Sequence, residues 1–267
     1  MNRIRPYLEE AGITEAGAVP FESCLPLLEC RARSRLPEKA RSVIVCAFPY
    51  YTGEWEGRNL SRYAIVPDYH RVTLDLLNPV CEKLRRDFSA EFVPFADNSP
   101  IREVDAALRA GLGVLGENSL LINPRYGSWV FLGEIVTDLP LEYTEGPIKN
   151  CLGCGACAKA CPGGCISHGK IEESRCLSAI TQTKRDLAPE EAALVKQGGL
   201  VWGCDRCQEV CPHNQKTEKT PLPAFLADVR PVLSREDVAA GVKERAYGFR
   251  GPKPLLRNLE ILKTTDS

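Results

Sequence analysis

The sequence predicts an α+β protein in two parts: an N-terminal α/β half with helices covering a sheet, and a loop-rich half held together by metal–thiolate bonds. Short apolar runs bounded by Pro or Gly alternate with helical periodicity up to about residue 148. At Pro147 the composition turns abruptly to Gly and Cys. Nine of the 13 cysteines then crowd into residues 151–211, where metal–thiolate bonds replace much of the hydrophobic core a fold needs. The expected division is residues 1–148, a cysteine-rich domain over 149–218, and a helical, basic extension over 219–267.

In chain order, a helix is expected over residues 3–11, closed by Gly12, and another over 25–35 between Pro26 and Pro37. Arg41-Ser-Val-Ile-Val-Cys-Ala-Phe48 is a short continuous apolar run stopped by Pro49, the pattern of a buried strand. Residues 52–60 read as a loop. A helix should start at Asp68 as N-cap and run to about residue 88. A second strand follows over 91–95. Asp97-Asn-Ser-Pro100 then reads as a cap with Pro in the first turn of a helix that ends at Gly111-Leu-Gly113. Residues 129–138 form a further strand. The string Gly111-Leu-Gly-Val-Leu-Gly116 has the form G-x-G-x-x-G, but it follows a helix where a dinucleotide fingerprint follows a strand, so a nucleotide site is excluded. Beyond the cysteines, helices are expected over 189–197 and near 235–240. Residues 243–263 carry six Lys/Arg against two Glu, either a solvated tail or a local phosphate-binding patch.

With 44% hydrophobic and 26% charged residues and a formal charge of −1, the composition is that of an ordinary globular chain. No global field recruits nucleic acid, so any RNA contact has to be local. The N-terminus MNRIRPYLEEAG lacks an apolar signal core, and no run of about 18 apolar residues occurs. A cytoplasmic protein without a membrane anchor is expected, and cysteines at metal spacings fit a reducing compartment. Cys46, inside the apolar run, reads as a small core residue.

Cys151-Leu-Gly-Cys154-Gly-Ala-Cys157-Ala-Lys-Ala-Cys161-Pro162 is the C-x2-C-x2-C-x3-C-P run of bacterial ferredoxins, in which the fourth cysteine ligates the other cluster. Cys204-Asp-Arg-Cys207-Gln-Glu-Val-Cys211-Pro212 and the lone Cys176 complete eight thiolates, enough for two [4Fe–4S] clusters. Crossed ligation assigns Cys151, Cys154, Cys157 and Cys211 to one cluster, and Cys161, Cys176, Cys204 and Cys207 to the other. Structural zinc is the competing reading of paired C-x2-C units. Cys165, in Cys161-Pro-Gly-Gly-Cys165, is either a spare thiol or a ligand in place of Cys161 or Cys176. His168 and His213 read as solvent-facing loop residues.

Two Tyr, an Arg and one of three His fall within Arg62-Tyr63-Ala64 and Asp68-Tyr69-His70, an assortment suited to gripping a polar ligand. These segments, with Asp97-Asn-Ser-Pro100, Ala110-Gly-Leu-Gly113, Gly127-Ser-Trp-Val-Phe-Leu-Gly-Glu134, Arg175-Cys176-Leu, Gly203-Cys-Asp-Arg-Cys-Gln208 and Leu256-Arg-Asn258, occur in one order. Over roughly residues 40–258 the chain resembles the epoxyqueuosine reductases, with kinship to the reductive dehalogenases. The resemblance implies a cobalamin-binding N-terminal domain and a ferredoxin-like double-cluster domain. Electrons from a low-potential donor protein would pass through two [4Fe–4S] clusters to Co(I) cobalamin, which reduces an epoxide in tRNA to an alkene with loss of water. It implies Asp97 as proton donor, which would have to stay protonated near neutral pH through burial or a nearby negative charge. It also implies that Arg62, Tyr63, Asp68, His70, Ser128 and Gly133 lie along the corrin. The alternatives are a corrinoid reductase of another small substrate and a corrin-free two-cluster electron carrier. Two departures stand out: Gly116-Glu117-Asn118 carries Glu where the family commonly has Lys, and no helical-repeat domain follows Leu256-Arg-Asn258. Either a short form contacts tRNA through residues 243–263, or the substrate is something other than tRNA.

Overall fold

The computed structural model describes residues 1–144 and 146–263. The chain forms two compact units. The first comprises Met1–Pro49, Tyr69–Leu115 and Leu120–Cys151; the second comprises Tyr50–Asp68, Gly116–Ser119 and the chain from Leu152 onward. Residues 50–68 therefore group with the cysteine-rich half, away from the strands that flank them in sequence. Backbone pairing is the cause: Ser61 N–H donates to the Trp202 carbonyl at 2.9 Å and Val201 N–H to the Asn59 carbonyl at 2.7 Å.

The first unit is built on a four-stranded sheet of β1 (Glu15–Pro20), β2 (Ser42–Pro49), β3 (Phe92–Phe95) and β4 (Val130–Thr137), in the order β1-β2-β4-β3. Every pairing is antiparallel, so the layered half is α+β without a parallel crossover. β2 is central and buried along its length, as its unbroken apolar run requires. β1 escapes the sequence reading because Glu15-Ala-Gly-Ala-Val-Pro20 is short and weakly β-forming. Gly17 is needed there: a Cβ would lie 2.6 Å from the Ala110 carbonyl oxygen.

Helices cover the sheet. α1 (Arg5–Glu10) and the long α2 (Tyr69–Phe88) are followed by α3 (Glu103–Arg109). Successive β4 side chains point to opposite faces. Val130, Leu132 and Val136 join the α3 residues Ala106 and Ala107 in one core, while Gly133 faces Thr73 of α2. The helix expected over 25–35 does not form. Within it only the 3-10 turn Arg31–Arg35 forms; Pro26 contributes no donor, and Leu28 N–H donates to the Pro100 carbonyl instead of to a helical partner. α3 also begins later than expected, with Arg102 rather than Asp97 at its N-cap and no side-chain cap.

In the second unit the main helices are α4 (Leu177–Gln182), α5 (Pro189–Gly198) and α6 (Pro252–Lys263), joined by single-turn pieces such as Ala156–Ala160 and Arg206–Glu209. Leu177, Ile180 and Val195 form a small core with Leu194 and Ile261. α6 is thus a packed helix and not a solvated tail. Arg257 Nη1 donates to the carbonyls of Thr183 and Arg185 at 2.8 and 2.6 Å, a cation at the C-terminal end of α4. Asn258 Nδ2 donates to the Thr181 and Val201 carbonyls, both at 2.8 Å. Arg245 is buried and pairs with Asp228 at 2.6 Å. Two of the six basic residues of 243–263 are therefore structural.

Candidate functional site

The cluster cysteines sit where short helices and loops meet. Cys157 lies in Ala156–Ala160, Cys207 in Arg206–Glu209, and Cys176 is the N-cap of α4. Gly153 and Gly155, at φ +62° and +69°, let the first run turn tightly around Cys154. Gly203, at φ +77°, leaves no room for a side chain: a Cβ would fall 2.1 Å from Ser61 Oγ. It sets the approach to Cys204, and its N–H donates to Thr181 Oγ1 at 2.9 Å.

Cys204 is within electrostatic reach of Cys176 and Cys161, and Cys207 within reach of Cys204, Cys176 and Cys157. Burial pushes these two thiols up, Cys204 to about 11 and Cys207 to about 12, so metal binding has to displace their protons. The Asn118 amide donates to the Cys207 sulfur, and the Arg206 N–H to Cys204. Asn118, buried, is a residue the sequence reading passed over. Such hydrogen bonds to sulfur tune cluster potential. Among the described residues no three side chains converge to hold a single ion. A cubane asks for a different arrangement, one thiolate at each iron, and a set of soft sulfur donors suits it. Cys165 is buried with its Sγ 3.3 Å from Cys161 Sγ.

The first unit brings a second group of polar residues together at one end of its sheet. Asp97 follows β3 in the left-handed region, φ +58°, a conformation uncommon outside Gly, Asn and Asp. Its Oδ1 accepts from the Tyr69 hydroxyl at 2.9 Å, and Oδ2 lies 3.3 Å from His70 Nε2. Tyr69 stacks on Phe131 of β4, with ring centroids 4.2 Å apart. The Asp97 N–H donates to Glu103 Oε1 at 3.2 Å. Asp97 is therefore held by α2 through its side chain and by α3 through its backbone. It is not a helix cap.

Electrostatics distribute protons differently from the sequence expectation. The His70 contact, assisted by Tyr69 and opposed by burial, holds the Asp97 carboxyl below the usual range. The raised carboxyls are the two behind it. Burial, then the Asp97 charge, pushes Glu103 up to about 8. Glu134 of β4 is wholly buried, and burial followed by the Glu103 charge drives it well above the ordinary value. The sequence signal for Glu134 was present but unused: an acid at a core-facing position of an otherwise apolar strand.

The other residues expected at the site divide between the units. Arg62 is buried; it donates to the Gly53 carbonyl at 2.9 Å and pairs with Glu54 at 2.7 Å. Tyr63 Oη accepts from Trp202 Nε1 at 2.7 Å. Both belong to the second unit, as does Asp68 at the entry to α2. Ser128 is buried in the first unit. Gly133 is a packing glycine, since a Cβ would meet Thr73 Cγ2 at 2.7 Å.

Eight cysteines at double-cluster spacing, in a chain whose other unit is an antiparallel sheet carrying an acid–histidine–tyrosine group, are the pattern of a double-cluster iron–sulfur protein with a second, sheet-based domain. Residues 150–214 match the family model for a 4Fe-4S double cluster binding domain, and residues 31–98 that of epoxyqueuosine reductase QueG. An epoxyqueuosine reductase from Synechocystis sp. is 38% identical over 209 residues, 74% of this chain and 70% of that protein. The chain belongs to the epoxyqueuosine reductase family. It spans about half the length of other curated relatives, such as that from Aliivibrio fischeri, 39% identical over 62% of this chain and 45% of the relative. The solved epoxyqueuosine reductase of Streptococcus thermophilus superimposes with a TM-score of 0.81 at 25% identity, over 98% of this chain and 80% of that one. An epoxyqueuosine reductase solved with an epoxyqueuosine-modified tRNA stem loop gives 0.84 at 24%, with the same coverage. The catabolic reductive dehalogenase NpRdhA shares the fold more distantly, at 0.57 and 19% identity over 84% of this chain and 33% of that one.

Proposed function

We propose that the protein is an iron–sulfur- and cobalamin-dependent reductase that converts epoxyqueuosine in tRNA to queuosine, with Asp97 as the residue that delivers a proton to the departing oxygen. The observation that carries this reading is the Asp97–Tyr69–His70 group at one end of the sheet, in a chain that also holds eight cluster-type cysteines. Reduction of an epoxide to an alkene consumes two electrons and two protons and releases the oxygen as water. The cysteines carry the electron side: Cys151, Cys154, Cys157 and Cys211 for one cluster, Cys161, Cys176, Cys204 and Cys207 for the other. Cobalamin, when bound, would supply the strongly reducing two-electron centre that protein side chains lack.

The residues of this chain handle the protons. Asp97 is partly exposed, so a substrate oxygen has access to it. Tyr69 and His70 orient its two carboxyl oxygens, and a proton shared with His70 lies within one hydrogen bond of the Asp97 carboxylate. A partly exposed acid beside stacked aromatic rings fits a planar macrocycle with reacting substrate between. Asp68, His70 and Ser128 would hold the corrin. The domain roles follow the sequence division: residues 1–148 for corrin and substrate, 149–218 for the clusters, 219–267 for support of the clusters and RNA contact.

For RNA, the exposed Phe249 with the Arg250 guanidinium over its ring, 4.8 Å from the centroid, offers a stacking platform for an unpaired base. Lys243, Lys253 and Lys263 add positive charge on the same segment. A low-potential electron donor is the second partner, and the cytoplasm, where tRNA is modified, is the expected compartment. None of the described helices is long and apolar enough to cross a membrane.

The test is electron paramagnetic resonance of anaerobically reconstituted protein mixed with cob(II)alamin, followed by single-turnover reduction of an epoxyqueuosine-modified stem loop read by mass spectrometry. A base-off cobalt signal and loss of one oxygen from the stem loop are expected. A cobalt signal identical to free cob(II)alamin beside reducible clusters would refute the reductase reading and leave an electron carrier.

A further inference from the structure

Behind Asp97 lie two acids that the proposed chemistry does not yet use. Glu134 is 0% exposed, and neither carboxyl oxygen has a hydrogen-bond partner among the described residues. It projects from the middle of β4, opposite Val45 of β2 and Phe95 of β3. Its polar neighbours are Ser99 and Glu103. Glu103, on the first turn of α3, accepts the Asp97 N–H. The groups facing the pair from the surrounding elements are Asp97 and Ser99 from the turn after β3, His70 with Tyr69 from α2, and Cys46 from β2. The principal charged neighbours of Glu103 are Asp97 and His70, and that of Glu134 is Glu103, with no lysine or arginine among them. Two adjacent buried carboxylates without a cation are untenable when ionised, so the pair retains at least one proton through neutral pH.

We infer that Glu103 and Glu134 form a shared-proton carboxyl pair that reloads Asp97, so that the site delivers two protons per turnover although only one acid touches the substrate. The inference rests on the reductase reading for its substrate. Forming water from the epoxide oxygen takes two protons, and the cleavage electrons come from the reducing centre. The first proton is the one Asp97 shares with His70 at Oδ2; it passes through the Asp97 carboxyl to the substrate oxygen and leaves Asp97 as carboxylate. The pair, protonated on both carboxyls at rest, then releases one proton toward the Asp97–His70 group and keeps the other shared between its carboxyls, a singly charged dicarboxylate, and Asp97 gives the second. Solvent returns both protons between turnovers. Burial lets the pair hold protons in reserve at neutral pH, and His70 keeps Asp97 a carboxylate at rest, so the pair's proton moves only as the developing oxygen base draws a proton from Asp97. Glu103 and Glu134 act through Asp97 and are positioning residues, not groups that touch substrate.

Infrared difference spectroscopy of the full chain over pH 6–10 reads the pair without any turnover. A protonated-carboxyl C=O band is expected at pH 7, fading with a midpoint near 8, lost in Glu134→Gln and weakened or shifted in Glu103→Gln. A spectrum without that band at pH 7, or with the same band in both variants, overturns the inference. Kinetics read the reloading. In single turnovers with the epoxyqueuosine stem loop, both Gln variants should be slowed at least ten-fold at unchanged stem-loop affinity. The wild-type rate should fall along the midpoint of the infrared band, and Glu134→Asp should recover part of the loss. Wild-type rates and pH profiles in both Gln variants overturn it as well. A wild-type chain that shows the band but does not reduce the stem loop would instead sink the proposed substrate and the proton delivery that rests on it.

Discussion

Replacing Asn258 by alanine should loosen the iron–sulfur half of the molecule at points 57 and 77 residues away in sequence. Asn258 is 0% exposed, and its amide bridges two ligand-bearing segments. One bond reaches the Thr181 carbonyl in α4, the helix that Cys176 caps; the other reaches the Val201 carbonyl, three residues before Cys204. Alanine removes both donors and leaves two buried carbonyls unpaired. A lost hydrogen bond is worth about 1 kcal/mol net, and an unsatisfied buried acceptor costs about 1–3 kcal/mol. Water entering the vacated volume recovers part of that loss, so the expected cost is roughly 2–4 kcal/mol. At about 1.4 kcal/mol per factor of ten, local opening should rise roughly 30- to 1,000-fold. The assay is hydrogen exchange of the α4 amides in the reconstituted protein, with iron loss to a chelator followed in parallel. Faster exchange confined to the second unit, with faster iron loss, is expected. Wild-type exchange and iron retention would refute the structural role, and a selective loss of RNA affinity in the same variant would show that Leu256-Arg-Asn258 is a binding motif instead.

Other perturbations test the remaining parts of the site. Asp97→Ala should abolish reduction of the stem loop while iron content and the circular dichroism spectrum stay at wild-type values; retained turnover would remove Asp97 as the acid. Gly203→Ala should be destabilising by about 1–3 kcal/mol, because a residue held at φ +77° against Ser61 gains both backbone strain and a clash; chemical denaturation with iron content as a second readout checks it. Cys176→Ser should lower the iron content by up to half, whereas Cys165→Ser should retain the full complement, measured by colorimetric iron assay. Stability of the first unit should be greatest in mild acid. Glu103 and Glu134 have raised values when folded, so the folded state binds more protons than the unfolded chain above the unfolded value near 4.3. Stability then falls as pH rises from there toward the folded value, about 8 for Glu103. Glu134→Gln should flatten that fall in denaturant midpoints measured from pH 5 to 8.

Spacing and composition determined a good deal of this protein. Cysteine spacing is a local property, because loops between ligands set which sulfurs reach one cluster, so the two-cluster reading needed no fold. Continuous apolar runs revealed β2, β3 and β4, since burial on both faces leaves its mark on consecutive residues. β1 stayed hidden because its few small residues gain their place from Ala110 and β2, not from their own propensity. Residues 25–35 have helical periodicity, yet Pro26 and the Pro100 carbonyl took their backbone elsewhere. Only tertiary structure decided the chemistry around Asp97. Its pattern with Pro100 reads as a helix cap, and nothing in the chain order of residues 69, 70, 97, 103 and 134 says that they meet. Their meeting depends on two helices packed on opposite faces of one sheet, and their proton affinities depend on how much water that packing excludes. Burial and proximity belong to the folded chain, and for that reason the residue expected to hold the proton turned out to be the one beside His70, with the raised acids one layer behind it.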